Sequence, residues 1–78
     1  MPRVLRYFGK SDELLAGEHV LPDLDVELLQ DIFMVEASNP MYDSFPVGEK
    51  QAKLLALLSP FNFDFEKFDY FLEYDEKS

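Results

Sequence analysis

Two short runs near the start of the chain are typical of β-strands: the first is rich in β-prone apolar and aromatic residues, and the second shows partial alternation of apolar and polar positions. The runs cover residues 3–8 and 13–21, and Gly9 and Asp12 between them suit a tight turn. Pro22 ends the second run. Two strand-like runs joined by a turn predict a β-hairpin with a loop of about four residues.

The most regular alternation lies near the other end of the chain. One set of side chains is predicted to point to one side of a strand: Phe68, Tyr70, Leu72 and Tyr74. The set between them is predicted to point to the other side: Asp69, Phe71 and Glu73. This pattern predicts a third strand, and residues 64–67 before it are expected to form a short helical turn.

Two segments have helical spacing. Asp23 to Met34 is the clearer one, and its apolar residues form one stripe: Val26, Leu28, Leu29, Ile32 and Phe33. Asp25, or Asp23 before it, is the expected N-cap. The polar residues of this helix are expected to face water: Glu27, Gln30 and Asp31.

The second predicted helix covers Glu49 to Leu58, with Gly48 as a weak N-cap and Ser59-Pro60 as its end. The connection between the helices, Glu36 to Val47, is long for so short a chain. It carries apolar and aromatic side chains that are costly to leave in water, which are Met41, Tyr42 and Phe45. We therefore expect an ordered connection with a functional role.

These elements predict one small α+β domain over residues 1–78, in the order β-β-α-α-β. The simplest packing is a three-stranded antiparallel sheet with two helices packed on one face. The last strand is expected beside the first. That arrangement brings Arg3 and Arg6 close to Asp69 and Glu73.

Charge changes this picture of a plain small domain. The chain has 16 acids against 7 Lys and Arg, giving a formal net charge of −9. Residues 11–36 hold eight acids and no Lys or Arg. So negative a surface repels nucleic acid phosphate and attracts basic surfaces. A merely solubilising surface is the competing interpretation.

Residues for catalysis are scarce. Cysteine is absent, and His19 is the single histidine, which is expected to be an ordinary strand side chain at the sheet surface. A catalytic triad would need Ser11, Ser38 or Ser44 near it, and no local motif supports this. Asp23 and Asp25 lack the spacing of a calcium loop. We therefore expect no enzyme, no cofactor, no metal and no catalytic residue.

The location is expected to be cytoplasmic. The first residues are interrupted by Arg3 and Arg6 and do not resemble a signal peptide. No apolar run is long enough to span a bilayer.

Several segments together resemble a small acidic bacterial domain family of unknown function. They are Leu21 to Phe33 (LPDLDVELLQDIF), Asn39-Pro40-Met41-Tyr42, Phe45-Pro46-Val47, Glu49-Lys50-Gln51-Ala52 and Phe63 to Glu73 (FDFEKFDYFLE). Gly48 and Phe68 depart from the family pattern, where Thr or Ser and Tyr are expected. The family resembles immunity proteins of polymorphic toxin systems, including contact-dependent growth inhibition. The resemblance implies toxin binding and no catalytic residue.

Charge and resemblance together predict an immunity protein, or antitoxin, that neutralises a cognate toxin C-terminal domain, foremost a basic nuclease. The expected partner-binding residues are Glu27, Asp31, Glu36, Tyr42 and Asp43, with Asp12, Glu13 and Glu18 supplying long-range attraction. We expect a monomer or weak dimer without direct nucleic acid or membrane binding. The alternatives are an acidic nucleic-acid mimic, an adaptor for another basic partner and, last, a small carboxylate enzyme.

Overall fold

The structure is a computed structural model that describes residues 3–74. Its elements in chain order are β1 (Arg3–Gly9), β2 (Leu15–Val20), α1 (Val26–Phe33), β3 (Phe45–Pro46), α2 (Glu49–Leu58) and β4 (Phe68–Tyr74). The strands form one antiparallel sheet in the order β2-β1-β4-β3. The expectation of an α+β fold is confirmed at this level.

The predicted hairpin is present as β1 and β2, with Val4 opposite Val20 and Tyr7 opposite Gly17. Tyr7 lies so close to β2 that a Cβ atom at residue 17 would collide with its hydroxyl, so this position needs glycine. The register shifts between Tyr7 and Phe8, and Glu13 in the turn has a left-handed φ of 58°. β2 starts at Leu15, whereas the predicted run starts at residue 13.

The expectation of three strands and the order β-β-α-α-β is wrong, because a fourth strand lies between the helices. In β3, Phe45 is opposite Leu72 and Pro46 is opposite Phe71. A two-residue strand shows no alternation, and proline cannot donate to a ladder, so the sequence pattern favours a plain connection. The expected pairing of the last strand with the first is confirmed, with Leu5 opposite Leu72.

Both helices pack on one face of the sheet, as predicted. The core joins Leu5, Tyr70 and Leu72 of the sheet to side chains from both helices, which are Leu29, Ile32, Ala52 and Leu55. Phenylalanines 61, 63, 65 and 68 pack around this core next to Tyr7 and Tyr70. Because β-strand side chains alternate, these core residues lie on one side of the sheet, and within residues 3–74 no helix packs on the other side of β1, β2 and β4.

The Tyr70 hydroxyl is buried in that aromatic cluster and accepts a hydrogen bond of 2.8 Å from the Asp64 backbone N–H. Burial raises the pKa of this phenol above its ordinary value. The turn at residues 64–67, which the sequence predicts, is thus attached to the centre of β4 and covers one end of the core.

Candidate partner-binding surface

α1 presents two carboxylates on consecutive turns of its exposed side. The Asp25 side chain caps the helix by accepting a 3.1 Å hydrogen bond from the Glu27 N–H. Glu27 and Asp31 are exposed and four residues apart, so they lie on the same side of the helix. The last turn holds no basic residue. Asp31 therefore stands near the negative end of the helix dipole without compensation.

Gln30 of α1 holds the loop that follows this helix, residues 34–44, through side-chain hydrogen bonds. This side chain is 5% exposed and donates hydrogen bonds to the carbonyls of Ala37 (3.1 Å) and Asn39 (2.6 Å). The Asn39 side chain accepts from the Met41 N–H at 2.8 Å. Met41 adopts a left-handed φ of 59° and is fully buried, so the loop is anchored in the core.

Arg3 holds the same loop from the sheet side. Its buried guanidinium donates to the carbonyl oxygens of Met41 and of Pro40, the latter at 3.0 Å. It also lies 4.9 Å from the ring centre of Tyr74 and 6.0 Å from that of Tyr42. Burial lowers the pKa of Arg3, while the two tyrosines oppose this change. The rings of Tyr42 and Tyr74 are 4.5 Å apart.

One continuous stretch of chain therefore carries five of the predicted partner-binding residues, and we call them the acidic α1 surface: Glu27, Asp31, Glu36, Tyr42 and Asp43. All five are exposed, and Tyr42 is 58% exposed although it packs against Tyr74. Within residues 3–74, no ion pair involves its four carboxylates. Their charge is thus available to a partner.

The three remaining predicted residues lie elsewhere. Asp12 and Glu13 are in the hairpin turn, at the Gly9 end of β1, whereas Tyr42 lies against Arg3 at its beginning. A strand of that length separates the two ends by about 20 Å. Glu18 lies in β2 and forms an ion pair with Arg6 at 2.8 Å. The eight predicted residues are therefore exposed but do not form one surface.

The arginines are also divided between two tasks. Arg6 contacts Glu73 at 2.7 Å, as expected from the predicted strand pairing. Hydrogen bonds to Glu18 and, to a smaller extent, to Glu73 raise the pKa of Arg6. The expectation for Arg3 is wrong, because its long side chain turns to the loop carbonyls instead. Asp69 has Lys10 as its neighbour, at 3.8 Å.

His19 lies on the core side of β2 rather than on an exposed sheet surface. It is half-buried, its ring centre is 4.7 Å from that of Phe61, and its Nε2 is 3.1 Å from the Ser59 hydroxyl. None of the three serines considered from the sequence occupies this place. The contact joins the end of α2 to β2, which is a packing role.

Among residues 3–74, no three His, Asp or Glu side chains come close enough to hold a metal ion. No helix in the same range is long and apolar enough to cross a membrane. A cavity of about 550 Å³ at the hairpin turn is lined by both charge signs, Lys10 and Lys67 with Asp12 and Glu66.

Sequence reasoning missed Gln30 and Arg3, the residues that position the loop. The helical pattern places Gln30 on the outward face, yet the structure buries it under the loop. The available signal was its chemistry: it is the one amide side chain within α1, next to a long connection whose carbonyls need donors. For Arg3, the signal was its isolation from local acids at the start of a strand.

Comparison with known protein families gives a match over most of the chain. A family model described as Domain of unknown function (DUF7683) matches residues 2–73. No curated protein matches the chain.

Proposed function

Because the chain belongs to the DUF7683 family, whose description assigns no activity, we propose its function from geometry and charge: it binds a basic protein partner through the acidic α1 surface. One observation carries the proposal. A loop held by buried Gln30 and Arg3 presents an exposed tyrosine, and it follows directly on a helix whose exposed carboxylates have no ion-pair partner within residues 3–74.

Order in the loop favours binding because a fixed surface loses little conformational entropy when a partner docks. Tyr42 packs against Tyr74 with the two rings tilted by 35° and so exposes a pre-oriented aromatic ring, the type of side chain that contributes most at interfaces. The surrounding acids would speed association with a basic partner, and this acceleration would weaken as salt screens the charges.

The sharper form of the proposal is that the partner is a bacterial toxin domain, foremost a nuclease, and that the protein is its immunity protein. A nuclease binds phosphate and therefore has a basic cleft. An acidic protein of this size can occupy such a cleft and exclude the substrate. The surplus of negative charge and the carboxylates of the acidic α1 surface support this form.

The test begins with the neighbouring gene: if it encodes a secreted toxin, the C-terminal domain of that toxin is the probe, whereas a neighbour of another kind would count against this sharper form. Equimolar protein should abolish the nuclease activity of that domain. The double charge reversal Glu27→Lys/Asp31→Lys should raise the dissociation constant by about tenfold or more at low salt, with a smaller effect at high salt. Calorimetric titration at both salt concentrations measures this.

A matched control reverses two exposed acids elsewhere, Glu49→Lys/Glu66→Lys, which makes the same change in net charge. It should weaken binding far less than the α1 variant. Equal losses in both variants would show that only overall charge matters and would remove the assignment of the surface. Tight binding without inhibition would favour an adaptor, and the absence of binding would contradict the proposal altogether.

A further inference from the structure

The sheet face opposite the helices, which we call the open face, carries more apolar side chains than a solvent-facing sheet needs. The strand register gives three rows of side chains that neighbour one another across the strands of this face. The first row is Val20, Val4 and Glu73, the second is Glu18, Arg6, Phe71 and Pro46, and the third is Leu15, Phe8 and Asp69. Val4 is buried, with 1% exposure, but Val20 is 64% exposed and Leu15 is 52% exposed. Antiparallel sheets that face water usually alternate to polar residues on that side, so this composition calls for an explanation.

A cavity of about 200 Å³ lies at the edge of the open face. It is lined by Phe8, Gly9, Glu13, Asp69 and Phe71. The two phenylalanine rings contact each other edge to face, with centres 5.8 Å apart, so they form a fixed aromatic wall. The cavity therefore combines aromatic surface with two carboxylates in a small volume.

We propose that this cavity binds an arginine side chain of a basic partner protein. A guanidinium stacks on aromatic faces and pairs with carboxylates through several N–H donors, and its alkyl stem is covered by apolar surface. Phe8 and Phe71 supply the aromatic wall, and Glu13 and Asp69 supply the acceptors. A neutral apolar side chain that filled the cavity would displace water from those carboxylates without supplying a donor in its place.

The charge of the open face selects a cationic partner over a second copy of this chain. Its three rows hold Glu18, Asp69 and Glu73 against Arg6, and the whole protein carries −9. Two open faces brought together would place these like charges opposite each other. Docking of a basic segment would instead cover Val20, Leu15 and the phenylalanines while adding opposite charge.

The protein's own Lys10 does not fill this role. Its Nζ is 3.8 Å from Asp69 Oδ1, and both side chains are largely exposed, so the contact is a weak surface pair. Lys10 does not line the cavity. An incoming guanidinium can therefore replace it at Asp69 and gain the aromatic contacts in addition.

The inference is independent of the acidic α1 surface, and the test keeps the two apart. The probe is Nα-acetyl-arginine amide, titrated into the ¹⁵N-labelled full chain and followed by NMR. We expect saturable shifts of the Gly9, Glu13 and Asp69 amide signals. The lysine analogue should bind more weakly, and the norleucine analogue, which is apolar and neutral, should not bind.

Two variants make the test decisive. Glu13→Gln/Asp69→Asn keeps size and removes charge, and Phe71→Leu keeps apolar contact and removes the ring; each should raise the dissociation constant about fivefold or more. Glu27→Lys/Asp31→Lys should leave it unchanged. Unchanged affinity in the carboxamide variant, or shifts of equal size along α1, would overturn the proposal, because the probe would then be sensing only overall charge.

Discussion

Gln30 and Arg3 are the two buried polar side chains of residues 3–74, and both direct their donors at carbonyl groups of the same loop. A loop of this length has many backbone groups that need partners when it packs on a core. Two long polar side chains meet that need from opposite sides. The exposed Tyr42 can thus stay in place without being buried itself.

At the residue scale, we predict that Gln30→Met destabilises the protein by about 1–3 kcal/mol. Methionine has a similar length but cannot donate, so the carbonyls of Ala37 and Asn39 would lose their partner beneath the loop. Urea unfolding measures the change in the free energy of unfolding.

The control is Gln51→Met, the same substitution in α2, where the side chain accepts a single hydrogen bond from the exposed Gly48 N–H. It should cost clearly less. Equal costs at the two positions would mean that Gln30 is merely another helix residue and does not hold the loop.

At the scale of elements, α1 stands out because Asp31 opposes its stability, although Glu27 in the first turn is favourable as Glu49 is in α2. Glu27 and Asp31 repel each other at a spacing of four residues, and Asp31 meets the negative helix end in a helix of eight residues. α2 has a favourable Glu49 in its first turn and no such pair of acids. A stability cost at an exposed position is consistent with retention of Asp31 for binding.

We therefore expect Asp31→Lys to stabilise the free protein, by about 0.5–1.5 kcal/mol at low salt. The substitution removes a repulsion, creates a Glu-Lys pair at favourable spacing and places a cation at the helix C-terminus. Urea unfolding at low salt measures the gain.

The matched variant is Glu27→Lys, which makes the same charge change in the first turn, where a cation is unfavourable. It should give no gain or a loss. Equal stabilisation by both variants would show that only net charge matters and would contradict the dipole argument. A stable Asp31→Lys protein also ensures that lost partner binding is not caused by unfolding.

The helices and the long strands could be predicted from periodicity because each has enough residues for a period to show. α2 was predicted with its observed bounds, and α1 and β4 nearly so. β3 could not be, since two residues carry no period. The helical pattern predicts that Gln30 is exposed because such a pattern depends on the polarity of each residue and not on which neighbouring carbonyl groups need a hydrogen-bond donor.

At the scale of the whole molecule, two groups of acids differ in how far they are neutralised. Those on the open face are partly neutralised by Arg6 and Lys10, whereas those of the acidic α1 surface have no ion-pair partner among the described residues. The folded chain keeps these charges close together, within a radius of gyration of 12.1 Å. Their repulsion therefore lowers the stability of the folded state.

We predict that the free energy of unfolding rises when NaCl is increased from near zero to about 0.2 M, where the Debye length is below about 10 Å. Urea, which is uncharged, is the suitable denaturant. Screening should weaken the repulsion between the unpaired acids more than it weakens the attraction within surface ion pairs such as Lys10–Asp69, because such pairs contribute little to stability.

In the Glu27→Lys/Asp31→Lys variant, whose net charge falls from −9 to −5, the salt effect should be smaller. A stability that falls with salt in the original protein would show that its ion pairs outweigh the repulsion, and the account of surplus charge would fail.

By itself, the sequence determined the two helices and the three long strands from periodicity, and the surplus of negative charge from composition. The pairing of the first strand with the last followed from the simplest way to connect these elements. Only the tertiary structure decided which acids are paired, that the hairpin acids lie far from Tyr42, and that Arg3 and Gln30 hold one loop. These facts depend on which distant residues meet, since an unpaired carbonyl or carboxylate finds its partner only when the chain has packed.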